Sequence, residues 1–390
     1  MQIGLVCNEY PPKPHGGIGS CSHDLAEGLV AAGHRVTVVG VSNQPKSTRE
    51  IINGVTVVSL GESRMKWYRP REWFNRFNLK RWIENEQARE PFDLLEVPDY
   101  DGWLPWKLKR NFPVVARLHG SNLFFDSELQ RKGNPVEHKF ERQTLLRADF
   151  WLGVSNYAFR RTQEFCGVSE RDEKIIYHGV DTKLFSPGTE PVEPGLIVFV
   201  NTINAKKGVE QLVDAANLLF ASYLHTRLVL IGPDTMKPVP DAKNFPQQMH
   251  EKIKPEFRSR VIFTGRLPRA EIIPWLRQAN VCCYPSHMET FGIAPVEAMA
   301  VGRPTIYSRT GPGPEVIENG VSGLLCDPMD PRDIANKIGQ VLDQPLLAEQ
   351  LGRAARQRVL ERFDKKSWIP QNVNFFSECV KKFRETGNHA

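Results

Sequence analysis

The amino-acid sequence predicts an α/β protein of two domains in series, each built on a doubly wound parallel sheet. Length is the first observation, because 390 residues exceed the roughly 250 to 300 at which one hydrophobic core stops growing. The second is a rhythm of short apolar runs, turn residues and helix-spaced segments, which is typical of βαβ units. The third is a cluster of prolines and glycines from Ser186 to Gly195, typical of an interdomain linker, after which the rhythm restarts.

The composition is that of a globular protein with ample apolar surface to bury. Hydrophobic residues make up 41% of the chain and charged residues 25%, which argues against disorder. The net charge of +6 is modest and dispersed except in one segment, so no nucleic-acid partner is expected. No window approaches the roughly 18 uninterrupted apolar residues that a membrane-spanning helix needs, and no signal peptide opens the chain. We therefore expect a cytoplasmic protein.

The seven cysteines are odd in number, lie mostly in apolar stretches and form no CxxC pair or Cys/His cluster along the sequence. We interpret them as reduced packing residues and expect no metal site. A metal site is the less favoured alternative.

We place the first domain at residues 1–186. Its first strand is predicted at Ile3–Cys7, where the chain is continuously apolar. A loop rich in proline and glycine, residues 11–19, then opens a helix whose Leu25 and Leu29 share one face. Later strands are predicted at Val36–Val41, Val55–Leu60, Leu94–Val97, Val114–Leu118, Phe150–Val154 and Lys174–Tyr177.

The second domain, residues 187–365, repeats the alternation of strands and helices. In two doubly wound domains the carboxyl ends of the strands border a crevice, which is the usual place for a nucleotide. Residues 366–390 are predicted to form a helix that packs back toward the first domain. Strands are predicted at Leu196–Val200, Arg227–Ile231, Val261–Thr264, Val281–Tyr284 and Pro304–Tyr307, and helices at Val209–Phe220, Glu271–Ala279 and Ala294–Ala300.

The most informative stretch for function runs from Pro285 to Pro304. Glu289 and Glu297 stand eight residues apart in it, so one carboxylate is expected in a loop and the other inside the helix that follows. A carboxylate suits vicinal hydroxyls, and the free N–H groups of a helix start favour an anion such as a diphosphate. One short element could therefore hold a ribose, a phosphate and a sugar hydroxyl. For an isolated pair at this spacing, two solvated carboxylates would be the alternative.

This stretch resembles the signature of the retaining glycosyltransferases of family four, which share the GT-B fold of two facing Rossmann-like domains. Further motifs of that family recur in order and span nearly the whole chain, which makes the resemblance specific. They are the glycine loop Pro12–Gly19, the pair Val154-Ser155, the motif Gly179-Val180-Asp181 with Phe185, and the run Gly311–Glu315 with Gly320 and Gly323-Leu324-Leu325.

The resemblance implies a role for each residue that matches a family motif. Glu297 would bind the donor ribose, and Lys207 would neutralise the leaving phosphate as a point charge. Gly16 and Gly17 would let the backbone approach the diphosphate. The donor sugar and phosphates would be held by Glu289 and by the backbone of Phe291, Gly292 and Ile293. For Lys207, a solvated lysine at a helix start is the alternative.

Two positions depart from the family pattern. Where the family usually has an arginine, five residues before Lys207, this chain has Thr202, so one cation is missing from the expected donor site. Loss of such a donor costs roughly 2.7 to 4 kcal/mol, and we expect either a compensating residue or a slow enzyme. Arg266 is the candidate for compensation, with a solvated loop arginine as an equal alternative. The second departure, His178 in place of an asparagine, is expected to matter little.

His119 follows the predicted strand Val114–Leu118 and is expected at its carboxyl end, facing the crevice. The family often has a histidine near the reacting sugar, so the resemblance implies a catalytic role. A core histidine with one satisfied hydrogen bond is the alternative.

A basic, aromatic segment occupies residues 66–81, where aromatic side chains such as Trp73 and Phe77 interleave with cations such as Arg76 and Lys80. This composition suits an anionic membrane surface at the inner face of a membrane, where related enzymes often meet lipid-linked acceptors. An ordinary amphipathic surface helix packed on the first domain is the favoured alternative.

Together these observations predict a metal-independent, retaining glycosyltransferase. It would move a sugar from a nucleotide diphosphate sugar to a glycan, lipid-linked or small-molecule acceptor, with no cofactor beyond that donor. A sugar-nucleotide epimerase, a glycosyl phosphorylase and a noncatalytic nucleotide-sugar-binding subunit stay open, the last because of Thr202. A dehydrogenase is less favoured, because the loop after the first strand lacks a clean GxGxxG and no acidic residue ends the second strand.

Overall fold

The computed structural model describes residues 1–13, 16–42, 44, 46–62, 68–168, 171–234 and 244–386, with only the backbone of residues 68–70. The chain forms two compact units. The first contains Met1–His178 together with the chain from Ser367 onward, and the second is the uninterrupted stretch Gly179–Lys366.

The first unit is a seven-stranded sheet with helices on its faces. Its strands are β1 (Gln2–Val6), β2 (Arg35–Ser42), β3 (Thr48–Ile52), β4 (Val55–Gly61), β5 (Leu94–Pro98), β6 (Val114–Leu118) and β7 (Phe150–Gly153). Its helices up to residue 178 are α1 (Gly17–Ala31), α2 (Tyr68–Arg89), α3 (Asn122–Glu128), α4 (Pro135–Arg147) and α5 (Asn156–Cys166). The strand order is β3-β4-β2-β1-β5-β6-β7, and only β3 runs antiparallel to its neighbour.

Strand β1 shows why this sheet forms. All five of its residues are buried, as expected for a parallel strand covered on both faces. Ile3 and Leu5 join the apolar cluster on one face, which includes Leu25 of α1, and Val6 joins the cluster on the other face. The alternation follows from the two-residue period of a strand.

The second unit is a six-stranded, wholly parallel sheet. Its strands are β8 (Leu196–Val200), β9 (Arg227–Ile231), β10 (Val261–Gly265), β11 (Val281–Tyr284), β12 (Thr305–Ser308) and β13 (Leu324–Cys326). Its helices are α6 (Val209–Ser222), α7 (Phe245–Lys252), α8 (Arg269–Gln278), α9 (Ile293–Ala300), α10 (Gly313–Val316), α11 (Pro331–Asp343) and α12 (Pro345–Arg362). The strand order is β10-β9-β8-β11-β12-β13, so the order reverses between β8 and β11. Ligands of doubly wound sheets bind at the carboxyl ends of the strands at such a point.

The last helix, α13 (Lys365–Glu385), belongs to the first unit from Ser367 onward. Its Trp368 and Phe376 are buried in the same cluster as α1. A Cβ atom added at Gly28 of α1 would lie 2.3 Å from Ile369 Cδ1, so the absence of a side chain at Gly28 leaves room for Ile369 of α13. Among the residues that the structure describes, no helix combines the length and apolar character needed to cross a bilayer. All seven cysteines are buried thiols.

The structure differs from the sequence prediction at two elements of the first unit. Residues 174–177 form no strand; Ile175 makes a single bridge to Gly153. The run is only four residues long and starts with a lysine, which gives too little apolar surface to extend the sheet. The edge strand β3 was not predicted, because most of its side chains are exposed and mixed in polarity.

The predicted linker at 186–195 is part of the second unit, and the chain enters that unit at Gly179. Three hydrogen bonds to backbone carbonyls explain this. Val180 N donates to Phe363 O at 2.8 Å, and Arg277 Nε donates to Ser186 O at 2.8 Å. Glu193 N donates to Gln278 O at 2.9 Å. The prolines and glycines therefore shape a segment that packs on α8 rather than one that separates two domains.

Candidate active site

The loop after β8 presents Lys207 on a single 3-10 turn, Ala205–Lys207. The turn starts at Asn204, whose side chain accepts a hydrogen bond from Lys207 N at 3.1 Å. Gly208 ends it at φ 69°, and a Cβ atom there would lie 1.8 Å from Pro285 O. The turn is thus pressed against the loop that follows β11, and only glycine permits this approach.

That second loop brings Glu289 to Lys207. Lys207 Nζ donates to Glu289 Oε1, and both side chains are largely buried. Ser286 Oγ lies 3.4 Å from the same carboxylate oxygen. The two predicted catalytic residues of the second unit are therefore in direct contact at the carboxyl ends of β8 and β11.

The start of α9 follows four residues after Glu289. Gly292 occupies the N-cap at φ 92°, and none of the described side chains caps the helix there. The Tyr307 hydroxyl donates to Phe291 O at 3.1 Å, and a Cβ atom at Gly292 would lie 2.4 Å from that hydroxyl oxygen. The N–H groups at the head of α9 are therefore available to an anion, in a backbone conformation that glycine makes accessible.

Glu297 lies one turn into α9 and is mostly buried. Arg269 Nη2 of α8 lies 3.5 Å from Glu297 Oε1. Sequence reasoning missed Arg269, because the contact joins two helices that are separated in the chain. The only local signal was Pro268, which marks the start of a helix and so places Arg269 in its first turn.

Thr202 and Arg266, the remaining predicted donor ligands of the second unit, lie outside this cluster of contacts. Thr202 sits in the loop after β8, where its N–H donates to Asn201 Oδ1 at 2.9 Å. Arg266 is exposed just after β10 and forms no ion pair with another described residue. Arg269, three residues further on, is the arginine that contacts a predicted donor ligand.

In the first unit, the predicted glycines stand at the head of α1. Gly17 is the first residue of the helix, and a Cβ atom there would meet nothing within 4 Å. The Glu9 carboxylate accepts from Gly16 N at 3.2 Å and from Gly19 N at 2.8 Å. Glu9, which the sequence did not single out, thus holds the start of this helix. Pro14 and His15 of the same loop lie outside the described residues.

His119 stands where it was predicted, directly after β6. Its backbone N–H donates to Asp99 Oδ1 at 2.9 Å, and its imidazole ring stacks on that of His178 with centroids 5.5 Å apart. Burial, and to a smaller extent the neighbouring His178 and Arg117, lowers the pKa of His119 well below its usual value. The imidazole is therefore neutral at pH 7, able to donate one hydrogen bond and accept another.

His178 is buried beside Cys21, with Nδ1 3.1 Å from the sulphur. Burial, reinforced by Arg117, lowers the pKa of His178 to about 3. Cys21, His119 and His178 form a Cys/His cluster that is not apparent in the sequence, because the three residues are far apart along the chain. Each offers one potential ligand atom, and the three atoms lie within 4.8 Å of one another. The nearby guanidinium of Arg117 opposes a further cation, and we interpret the cluster as packing.

A polar cavity of about 520 Å³ lies in the first unit at the carboxyl ends of β1, β2 and β5. Glu9, Glu72 and Asp101 contribute carboxylates to its wall, and Lys13 contributes an amine. Burial raises the pKa of Asp101 to about 6. A lining of carboxylates, amides and hydroxyls suits a ligand rich in hydroxyl groups.

Comparison with known proteins identifies the family. The profile described as Glycosyl transferases group 1 matches residues 180–358, and that of Glycosyltransferase Family 4 matches residues 15–184. The MMP alpha-(1->4)-mannosyltransferase of Mycolicibacterium hassiacum is 31% identical over 70% of this chain and 67% of its own. A glycogen synthase of Mycobacterium tuberculosis is 26% identical over 93% of this chain and 91% of its own.

Among solved structures, sucrose-phosphate synthase from Thermosynechococcus elongatus superposes with a TM-score of 0.84 at 23% identity. The match covers 98% of this chain and 99% of that one. Two parallel-sheet α/β units with this likeness define the GT-B fold. The chain belongs to the group 1 glycosyltransferases of family 4.

Proposed function

We propose that the protein transfers a hexose from a nucleotide diphosphate sugar to an acceptor hydroxyl, with retention of anomeric configuration. The observation that carries the proposal is the contact between Lys207 and Glu289 beside the uncapped start of α9. A cation, a carboxylate and free backbone N–H groups then meet at the switch point of one doubly wound sheet. The names of the two relatives, a mannosyltransferase and a glycogen synthase, support a hexose as the transferred group.

In this proposal the donor is bound by the second unit. Glu297 accepts hydrogen bonds from the two ribose hydroxyls, for which a carboxylate has matched geometry. The diphosphate lies against the head of α9, where Gly292 leaves the N–H groups accessible. Glu289 then orients a hydroxyl of the transferred sugar.

In the chemical step negative charge develops on the leaving diphosphate, and preorganised groups of the proposed site would stabilise that charge. Lys207 is held at the end of its 3-10 turn and would exchange its contact with Glu289 for one with the phosphate. Such preorganised groups contribute most where charge develops in the transition state. We propose that Lys207 and the helix start suffice, so that no metal ion is required.

The first unit would supply the acceptor site. We propose that a hydroxyl of a glycan or lipid-linked molecule is bound in the polar cavity between Glu9 and Asp101. His119, which is neutral at pH 7, would hydrogen-bond a hydroxyl of the sugar without adding charge. The transfer would proceed on the face from which the diphosphate leaves, which gives retention.

Thermal unfolding with added nucleotides tests the donor site. Binding to the folded state at about 100 times Kd stabilises it by roughly 2.7 kcal/mol. We expect one of UDP, GDP, ADP or TDP to raise the melting temperature of the wild type and of Glu271→Ala, an exposed carboxylate on α8. The shift should be lost in Glu297→Ala. No shift with any nucleotide or its sugar conjugates would contradict the proposal.

Product analysis tests the chemistry. The donor that gives the shift is incubated with glycan and lipid-linked acceptors, and the anomeric configuration of the product is read by NMR. We expect the configuration of the donor to be kept and the rate to be unchanged by EDTA. An inverted product would refute retention, and loss of turnover with EDTA would refute metal independence.

A further inference from the structure

The first unit carries a second cavity, of about 570 Å³, which the proposed transfer does not use. It opens between α2, the loop at residues 104–107 and α4, which lines it from Pro135 to Arg147. The residues that line it are Trp73, Arg76, Phe77, Lys80, Leu104, Pro105, Trp106, Lys107, Pro135, Val136, Lys139, Phe140, Gln143 and Arg147. Its volume lies in the range of about 300 to 1,000 Å³ that small ligands occupy.

The wall of this cavity is aromatic, and its mouth is exposed to water. Trp73 packs edge-on against Phe140, with ring centroids 5.3 Å apart, and the Arg76 guanidinium lies 4.0 Å from the Phe140 centroid. Yet Trp73, Phe77 and Trp106 remain 50%, 51% and 53% exposed. Three large aromatic side chains left in water around one apolar opening indicate a surface that is covered in use.

The charged side chains that line the cavity are all cationic, although Arg76 and Lys80 form ion pairs with Glu72 and Glu84 outside the lining. Five of its described lining residues are cationic and none is acidic. Arg147 is held within the fold, donating to Pro105 O at 2.9 Å and to Leu104 O at 2.8 Å. Lys107 and Lys139 are exposed at the rim. An apolar interior with exposed amines at its edge complements a ligand that has an apolar chain and an anionic head.

We propose that this face of the first unit rests on an anionic bilayer and that the cavity takes the chain of one lipid, whose phosphate is met by Lys107 and Lys139. Exposed aromatic rings suit the boundary between headgroups and chains, where their apolar faces leave water. Each lysine near an anionic surface strengthens binding about fivefold. This inference stands independently of the proposed transfer reaction.

The cavity favours a lipid over a single-stranded nucleic acid, the other partner that combines aromatic and basic contacts. Nucleic acids stack their bases along a groove that tracks the phosphates. Here the aromatic rings border one partly open apolar cavity, and the exposed Lys107 and Lys139 are among the residues that line it. That geometry fits one apolar chain better than a series of bases.

Vesicle co-sedimentation of the full chain tests the inference, with phosphatidylglycerol and phosphatidylcholine in equal parts against phosphatidylcholine alone. Val136→Trp fills the cavity without changing charge, and Lys139→Glu reverses one rim charge. Lys381→Glu is the matched control, because this lysine is 78% exposed in α13 of the same unit and does not line the cavity. Melting curves and the nucleotide shift of each variant establish that it is folded.

We expect the wild type and Lys381→Glu to bind the anionic vesicles at least tenfold more tightly than the neutral ones. Val136→Trp should weaken that binding about tenfold, and Lys139→Glu at least fivefold. Wild-type affinity in a folded Val136→Trp variant would overturn the insertion of a chain. Equal losses in Lys139→Glu and Lys381→Glu, or displacement of the vesicles by a single-stranded oligonucleotide, would overturn the lipid site.

Discussion

Arg117 Nη2 lies 2.6 Å from Asn372 Oδ1, a contact that joins the last helix to the middle of the first sheet. The same guanidinium forms two hydrogen bonds with Glu96 of β5, at 2.9 and 2.6 Å, and is completely buried. Residues from β5, β6 and α13 thus form one charged network inside an apolar core. The last helix is therefore part of the folded centre of the first unit.

Arg117→Met should destabilise the first unit strongly, because Glu96 would keep a buried carboxylate without its cation. Removal of one partner of a buried pair costs about 3 to 5 kcal/mol. The matched control is Arg35→Met, whose 3.0 Å ion pair with Glu90 is largely exposed and should contribute less than about 1 kcal/mol. Urea unfolding of both variants measures the difference. Similar losses in the two would show that the buried network contributes no more than a surface pair.

Lys207→Ala should lower kcat by about 10² to 10³, the usual effect of removing one preorganised group that stabilises transition-state charge. Lys206→Ala is the control, because it removes the neighbouring lysine side chain and keeps the backbone carbonyl that accepts from His287 N at 2.9 Å. Steady-state transfer rates give the comparison. If the two variants were equally active, Lys207 would have no part in the chemical step.

Gly292→Ala should be more destabilising than Gly320→Ala, although both glycines have positive φ, 92° and 78°. A left-handed residue costs roughly 1 to 2 kcal/mol at either site. At Gly320 an added Cβ atom meets nothing within 4 Å, whereas at Gly292 it lies 2.4 Å from the Tyr307 hydroxyl oxygen. Tyr307→Phe removes that atom and should recover part of the loss. Unfolding free energies of the single and double variants measure this coupling, and strict additivity would exclude the clash.

Stability should depend on pH through His178. Its pKa is about 3 when folded, because of burial and Arg117, with Asp24 opposing the shift, and about 6.5 when unfolded. Below about pH 6.5 the unfolded chain binds a proton that the folded chain excludes, so this group lowers stability as the pH falls, until about pH 3.

His178→Asn removes this titration. Between pH 7.5 and 5.5, the variant should lose about 1.4 kcal/mol less stability than the wild type. Urea midpoints at the two pH values give the comparison. His119, whose pKa is also lowered, adds a slope of the same sign in both proteins. Parallel pH profiles would mean that His178 is not kept neutral by the fold.

The strands were predictable where burial is continuous. β6, β8, β9 and β11 have the predicted bounds, because parallel strands covered on both faces appear in the sequence as mostly apolar runs. Edge strands lack that signal, which is why β3 was missed. The structure divides the chain at Gly179, eight residues before the predicted start of the second domain at residue 187. Composition alone does not distinguish a proline-rich linker from a proline-rich segment that packs on a helix.

The candidate site was predictable as a set of residues but not as a set of contacts. The spacing of Glu289 and Glu297 and the family motifs single out those carboxylates. The approach of Arg269 to Glu297 and the stacking of His178 on His119 depend on how distant segments pack. The expectation that a histidine in place of asparagine at position 178 matters little was based on the family motif alone. The sequence does not show that the His119 ring stacks on His178.

Because the first unit is built from two separate stretches of chain, its two parts are synthesised at different times, and this affects the order in which the two units can fold. Residues 1–178 leave the ribosome long before Trp368 and Phe376, which belong to their core. At roughly 5 to 20 residues per second, residues 179–366 take about 10 to 40 s to be made. During that interval the nascent first unit exposes the apolar surface that α13 later covers. The second unit, encoded without interruption, is the one that can finish folding first.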